Sequence, residues 1–161
     1  MAVTPLTSTK RFIRPGVTKV YYLPTAANYK ALTKTELDGG TDLTPEIAEV
    51  AGWNTTSNLV DVPDWGSRYT SKVAGLITSD DSSITFYADE TGNDVRSVLP
   101  RDTKGYIVWM DGGEVVGQPM DVYPVTVSSL SKERTAADPA RIVVNFAITA
   151  EPSEDQDIPA T

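Results

Sequence analysis

Asp80-Asp81 is the first place in the chain where paired carboxylates could do acid–base or metal chemistry. Such work needs the two groups to converge on one point. Adjacent residues on a strand point to opposite faces, so this pair cannot converge, and it reads as a turn leading into the apolar run at Ile84. Asp38-Gly39-Gly40-Thr41-Asp42 superficially suggests a calcium loop, but it lacks the ligand spacing and closing glutamate of an EF-hand and reads as an ordinary loop. Asn54-Thr55-Thr56 matches a glycosylation sequon, which without a signal peptide has no route to that machinery. Neither the P-loop spacing nor G-x-G-x-x-G occurs. The sequence contains no Cys and no His. That removes thiolate ligation, disulfides, most zinc sites, and the Ser-His-Asp and Cys-His nucleophile systems. No catalytic residue, metal ligand or cofactor site is expected, and the chain reads as a protein that is not an enzyme.

The charge balance points the same way. The chain has 161 residues, 40% of them hydrophobic, with a net charge of −8. That length suits a single domain spanning residues 1–161. A protein that grips nucleic acid presents clustered Lys and Arg to phosphates, so this chain is expected to repel DNA. Solubility alone is the competing explanation of the charge. No apolar run approaches the roughly 20 residues that cross a bilayer, so no membrane anchor is expected and the protein reads as soluble and made in the cytoplasm.

The strongest local patterns are β. Val17 to Leu23 is β-branched and aromatic and is bracketed by Pro15-Gly16 and Pro24. From Ile84, alternation places Ile84, Phe86 and Ala88 on one face. Tyr106 to Met110 meets Asp111-Gly112-Gly113-Glu114, which predicts a hairpin resuming at Val115-Val116. Met120 to Leu130 alternates, with Pro124 arguing for an edge position or a bulge. In Arg141 to Thr149, Ile142, Val144, Phe146 and Ile148 share a face that must be covered. A short helix is predicted after Thr91-Gly92-Asn93-Asp94, ending at Pro100, and a weaker helical pattern lies within Thr25 to Leu37. These elements predict a mainly β fold of two packed antiparallel sheets, a β-sandwich or barrel-like body flanked by one short α-helix.

The stretch from Trp53 to Asp80 behaves differently. Val62-Pro63-Asp64-Trp65-Gly66 would join two long strands into an extended arm over about 58–80, whose apolar side chains one subunit serves poorly. A loop folded back on its own domain is the alternative. Trp53, Val62, Trp65, Tyr69, Leu76 and Ile77 are the expected inter-subunit contacts, with core packing a rival for Trp53. Both termini, about 1–14 and about 151–161, are polar and Pro-containing and read as flexible in the lone subunit.

Landmarks run in order along the chain from about Arg14 to Pro152. They are Pro15-Gly16-Val17-Thr18-Lys19-Val20-Tyr21, Gly40-Thr41-Asp42-Leu43-Thr44, Glu46-Ile47-Ala48, Gly52-Trp53 and Trp65-Gly66-Ser67-Arg68-Tyr69-Thr70-Ser71-Lys72. Ser79 to Asp89, Asn93-Asp94-Val95-Arg96, Leu99-Pro100, Tyr106-Ile107-Val108, Met120 to Val125 and Phe146-Ala147-Ile148-Thr149 follow. Each is only a strand or turn signature, and the specificity lies in their order and spacing. Taken together they resemble the phage major tail tube proteins. The resemblance implies a structural virion protein, assembled in the host bacterial cytoplasm, whose hexameric rings stack into a tail tube that conducts DNA without binding it specifically. Each subunit would lend four strands to a shared inner barrel. The implied partners are copies of itself and the tape-measure, tail terminator and tail tip proteins. Asp121 is a candidate lumen-facing residue. The alternatives are the inner tube of a contractile injection machine and an immunoglobulin-like binding or decoration domain.

Overall fold

The fold comes from a computed structural model that describes residues 3–160. Met1, Ala2 and Thr161, which belong to the two terminal segments expected to be flexible, lie outside the described residues. The protein is mainly β, with two antiparallel sheets and short helices. In chain order the strands are β1 (Lys19–Leu23), β2 (Thr41–Asp42), β3 (Ile47–Ala51), β4 (Thr55–Val62), β5 (Ser71–Ser79), β6 (Ser82–Tyr87), β7 (Lys104–Met110), β8 (Pro119–Glu133), β9 (Arg141–Ile148) and β10 (Ser153–Asp157). The helices are α1 (Lys34–Asp38) and α2 (Val95–Val98), with a 3-10 turn at Thr44–Glu46.

The large sheet has eight strands in the order β2-β1-β7-β8-β9-β6-β3, with β10 added alongside β8. Its ends are β2 and β3, yet only residues 43–46 separate them in sequence. Laid flat, six inter-strand gaps would hold these edges about 29 Å apart. Five residue steps reach at most about 18 Å, and less through a 3-10 turn. The sheet must therefore roll up, and the Thr44–Glu46 turn ties its two ends. Thr44 stitches this closure, its Oγ1 accepting from the Val20 N–H at 2.9 Å.

Alternation explains which residues fill the roll. Val20 and Tyr22 of β1, Ile107 of β7, Tyr123, Val125 and Val127 of β8, Ile142, Val144 and Phe146 of β9, and Ile84 and Phe86 of β6 form one buried cluster. Leu43, Trp53, Val95 and Leu99 plug it from the connections. The opposite faces of β1, β7 and β8 supply Leu23, Val108, Met110, Met120 and Val122 to a second cluster, closed by Leu32, Leu37 of α1 and Ile158.

Helix α2 sits where the capping residues place it: Asp94 is the N-cap, accepting from the Arg96 N–H. A second helix, α1, forms at the end of the weaker pattern. Thr33 and Glu36 make a reciprocal capping box there, which offsets its one-and-a-half-turn length.

Three expectations are corrected. After Met110 the chain does not resume as a strand at Val115-Val116; both are exposed, and β8 begins at Pro119. Pro124 lies in a central strand and not at an edge. Its carbonyl accepts from the Thr149 N–H at 3.0 Å, so its nitrogen faces the same side. There the neighbour of β8 changes from β10, paired up to Val122, to β9, paired from Val125, and no ladder donor is required. The C-terminal segment is anchored, because β10 pairs with β8 and Ile158 is 2% exposed in the second core cluster. Exchange of hydrogen bonds between Ile158 and the backbone at Gly117 and Gln118 holds it in place.

Candidate functional site

Two features of the surface remain uncovered by the chain itself. The first is the arm. Strands β4 and β5 pair only with each other, forming a sheet of two. They begin at Thr55 and end at Ser79, so the arm starts a few residues earlier than the pattern suggested. Its register slips between Ser57 and Leu59, where Asn58 opposes Gly75 and Leu76 in a β-bulge. Gly75 is required there, since a Cβ would approach the Asn58 carbonyl to 2.8 Å. The Asp61–Lys72 ion pair at 2.9 Å and the Asp80 N–H donating to the Asn54 carbonyl at 3.0 Å are among its polar ties.

Those ties do not hide its apolar residues. Leu59, Val60, Val62, Trp65, Tyr69, Val73, Leu76 and Ile77 are all exposed, Trp65 completely and Leu76 by 78%. A two-stranded ribbon is marginal in water without a third strand or a packed face. Of the six expected contact residues, the structure brings Val62, Trp65, Tyr69, Leu76 and Ile77 together on this arm.

Trp53 is not among them. It is 8% exposed, its ring sits 5.2 Å from Tyr123 and 5.4 Å from both Trp109 and Phe146, and its Nε1 donates to the Ser83 carbonyl at 3.2 Å. The cause is the turn before it. Gly52 and Trp53 both take positive φ, at 80° and 66°, which reverses the chain and drives the indole inward. Tyr123 locks this by donating its hydroxyl proton to the Trp53 carbonyl at 2.8 Å.

The second feature is a pair of open sheet edges. β7 covers β8 only as far as Thr126, and the Val127 backbone still pairs with Thr103; from Ser128 to Glu133 that side of β8 has no backbone partner among the described residues. At the other end, β3 pairs with β6 alone. Between these edges lies a four-stranded stretch, β8 (from Ser128)-β9-β6-β3. One face is the core. The other carries Ser129, Ser131, Val143, Asn145, Ser83, Thr85 and Glu49, by the register that aligns Ser129 with Asn145, Asn145 with Ser83 and Thr85 with Glu49. The Asn145 amide donates to Ser129 Oγ at 3.0 Å, and Arg141 pairs with Glu49 at 3.1 Å. This face is polar and close to neutral.

Asp121 does not lie on that face. It belongs to the first half of β8, opposite Trp109, and its Oδ1 accepts from the Asp155 N–H at 2.8 Å. Burial raises its pKa, with Asp155, Glu154 and Asp111 nearby adding to the effect and the Asp155 N–H opposing it. Asp121 holds the bulge of β10. Edges completed by neighbouring copies are what a shared barrel requires, but which strands carry them is not legible in the sequence, because unpaired backbone leaves no trace in side-chain pattern; the Ser-Asn-Thr composition of one face is the available signal.

No helix among the described residues is long and apolar enough to cross a membrane, which says nothing of β-barrels. No curated protein matches the chain. Solved structures that share its fold include two from the anti-feeding prophage. The baseplate of the anti-feeding prophage, 6-fold symmetrised, aligns with a TM-score of 0.56 at 11% identity, covering 94% of this chain and 97% of that one. The tube-terminating cap of the anti-feeding prophage aligns with a TM-score of 0.55 at 12% identity, over 91% and 93%. At such identities the likeness speaks for the fold alone. The family model of phage tail tube proteins matches residues 6–161, nearly the whole sequence, and the chain therefore belongs to the phage tail tube protein family, with a structural role in the phage tail.

Proposed function

We propose that six copies of this chain close into a ring, and that rings stack into a tube through which genome DNA passes without specific binding. The observation that carries this reading is the four-stranded stretch with both of its edges open. Antiparallel pairing makes β8 and β3, the outermost of four strands, run in opposite directions. Rotation about a ring axis preserves strand direction, so β3 of one copy meets β8 of the next antiparallel and the sheet continues unbroken. Strand addition of this kind satisfies edge groups that otherwise invite aggregation. An odd number of strands would bring parallel edges together at every junction.

Size and charge fit the same reading. Twenty-four strands spaced roughly 4.8 Å apart give a backbone diameter of about 37 Å, leaving room for a duplex about 20 Å wide once side chains are subtracted. The face turned toward the axis would be the one that presents Ser83, Ser129, Ser131 and Asn145, opposite the core, with Thr85 on the same side but buried. Duplex DNA carries about one charge per 1.7 Å, so a basic wall would hold it at each ring, whereas hydroxyls and amides on a chain of net charge −8 let it slide. The mechanism is geometric, with no chemical step. The whole chain acts as one tail-tube domain, assembled in the host cytoplasm into a virion part. Its arm contacts the neighbouring subunit or ring through Val62, Trp65, Tyr69, Leu76 and Ile77. Tape-measure, terminator and tip proteins would complete the tube. The 6-fold symmetrised baseplate of the anti-feeding prophage, which shares the fold, supports six as the ring number, and the inner tube of a contractile injection machine is the second reading.

Sedimentation across a concentration series, with negative-stain microscopy of the heaviest fractions, tests the ring. A species of six times the 17.4 kDa chain mass with an annular outline is expected. A monomer at all concentrations, with no annular particles, contradicts it and favours a closed binding domain.

A further inference from the structure

At the base of the arm, an open cleft of about 750 Å³ runs between β5 and the end of β9. Leu76, Ile77 and Ile148 supply its apolar wall, and Asp80, Asp81 and Glu151 stand among its lining residues, which include no Lys or Arg. Leu76 and Ile77 are open to solvent by 78% and 63%. Thr55, also in the lining, donates to Glu154 at 2.6 Å, bringing a further carboxylate to the rim. The cationic neighbour on that side is Lys30, 3.9 Å from Glu151 across an exposed gap.

The complementary chemistry lies at the other end of the chain. Residues 3–13 form no helix or strand and are exposed throughout. They carry Val3, Leu6, Phe12 and Ile13, of which Leu6 is 96% exposed, together with Lys10 and Arg11 and no acidic residue. Lys10 and Arg11 make no ion pair among the described residues, whereas Arg14, just beyond, is held by Asp111. Fully extended, eleven residues span about 36–40 Å, enough to leave one subunit and lie along another. Two unsatisfied surfaces of one chain, one apolar and acidic, the other apolar and basic, fit each other. No residue of the segment lines its own cleft.

We infer that the cleft beside β5 receives residues 3–13 of a second copy of this chain, with Lys10 and Arg11 against Asp80, Asp81 and Glu151 and Leu6 and Phe12 against Leu76 and Ile77. The inference rests on the self-assembly reading and gives it a specific joint. Apolar burial supplies the affinity, while the charges set register and speed the encounter. The joint weakens with salt, because its charges are exposed.

Charge reversal and mixing test it on the full-length protein. Two variants are made, Lys10→Glu with Arg11→Glu and Asp80→Lys with Asp81→Lys, and a third chain combines all four changes. All positions are exposed, so thermal unfolding of the subunits should stay within about 2 °C of the parent. Each two-site variant alone is expected to assemble at least tenfold less readily than the parent, judged by the concentration at which ring or tube mass appears. Mixing the two restores assembly, because each presents a segment that suits the other's cleft; the four-site chain also recovers. Unchanged assembly of both two-site variants overturns the inference while leaving the ring reading intact. Recovery by the four-site chain without recovery on mixing also overturns it, since the segment would then fill its own cleft. A parent protein that never assembles defeats both readings together.

Discussion

Trp53 fastens the first core cluster through contacts with residues of β7, β8 and β9, and through backbone bonds to Ser82 and Tyr123 that hold its turn. Trp53→Ala is expected to cost about 3–5 kcal/mol in urea unfolding, as for a large aromatic removed from a packed core. Trp65→Ala should leave subunit stability within about 0.5 kcal/mol, because that ring touches little of its own chain, while assembly weakens. Equal losses for the two would contradict their assignment to core and surface. Carboxylates give a second contrast. Asp94 accepts from Arg96 through both oxygens and from the Asp89 N–H, and the Arg96 side chain is the largest cause holding its pKa down to about 2. A depressed acid stabilises the fold above its ordinary value near 4, and that contribution is lost as pH falls from about 4 to about 2. Asp94→Ala should remove this part of the acid limb and cost about 1 kcal/mol at neutral pH through the lost cap. Asp121 has the opposite sign: burial raises its pKa, so its charge costs stability as pH rises past the ordinary value. Asp121→Asn keeps an acceptor for the Asp155 N–H and is expected to equal or exceed the parent in stability at pH 7. Stability curves against pH for both variants check the two slopes.

At the scale of elements, the arm and the rolled sheet are separate in their demands. Gly75→Val places a side chain against the Asn58 carbonyl and Val60, breaking the β4–β5 register without touching either core cluster. The expected result is an unchanged melting transition with loss of assembly, and an equal loss of both would show that the arm belongs to the folding core. The elements also show what a linear pattern reveals. β6 and β9 were legible because Ile84-Phe86 and Ile142-Val144-Phe146 alternate against polar residues, and burial on one face is what creates alternation. The arm was legible for the converse reason, since its apolar residues had no subunit core to serve. β10 was not legible: SEDQD carries no apolar stripe, and what orders it is the free edge of β8 together with one residue beyond it, Ile158. Pro124 misled for a similar reason, because its tolerance depends on where two partner strands hand over. Trp53 could be read either way until the positive φ of Gly52-Trp53 fixed the direction of its side chain. Tertiary pairing decided each of these cases, and no side-chain period encodes it.

The whole molecule is a rolled sheet that carries an unpaired ribbon and two bare edges, which in the proposed ring would be covered by copies of the same chain. In the proposed ring the stretch β8-β9-β6-β3 is one sixth of a continuous barrel. A cryo-electron microscopy map of the assembled protein, resolved well enough to trace strands, tests this most directly. The expected map has Ile47–Ala51 of each subunit hydrogen-bonded antiparallel to the Ser128–Glu133 edge of the next, six times around, with Ser83, Ser131 and Asn145 facing the axis. A map in which those edges face solvent, or in which the core side of the sheet lines the passage, contradicts it.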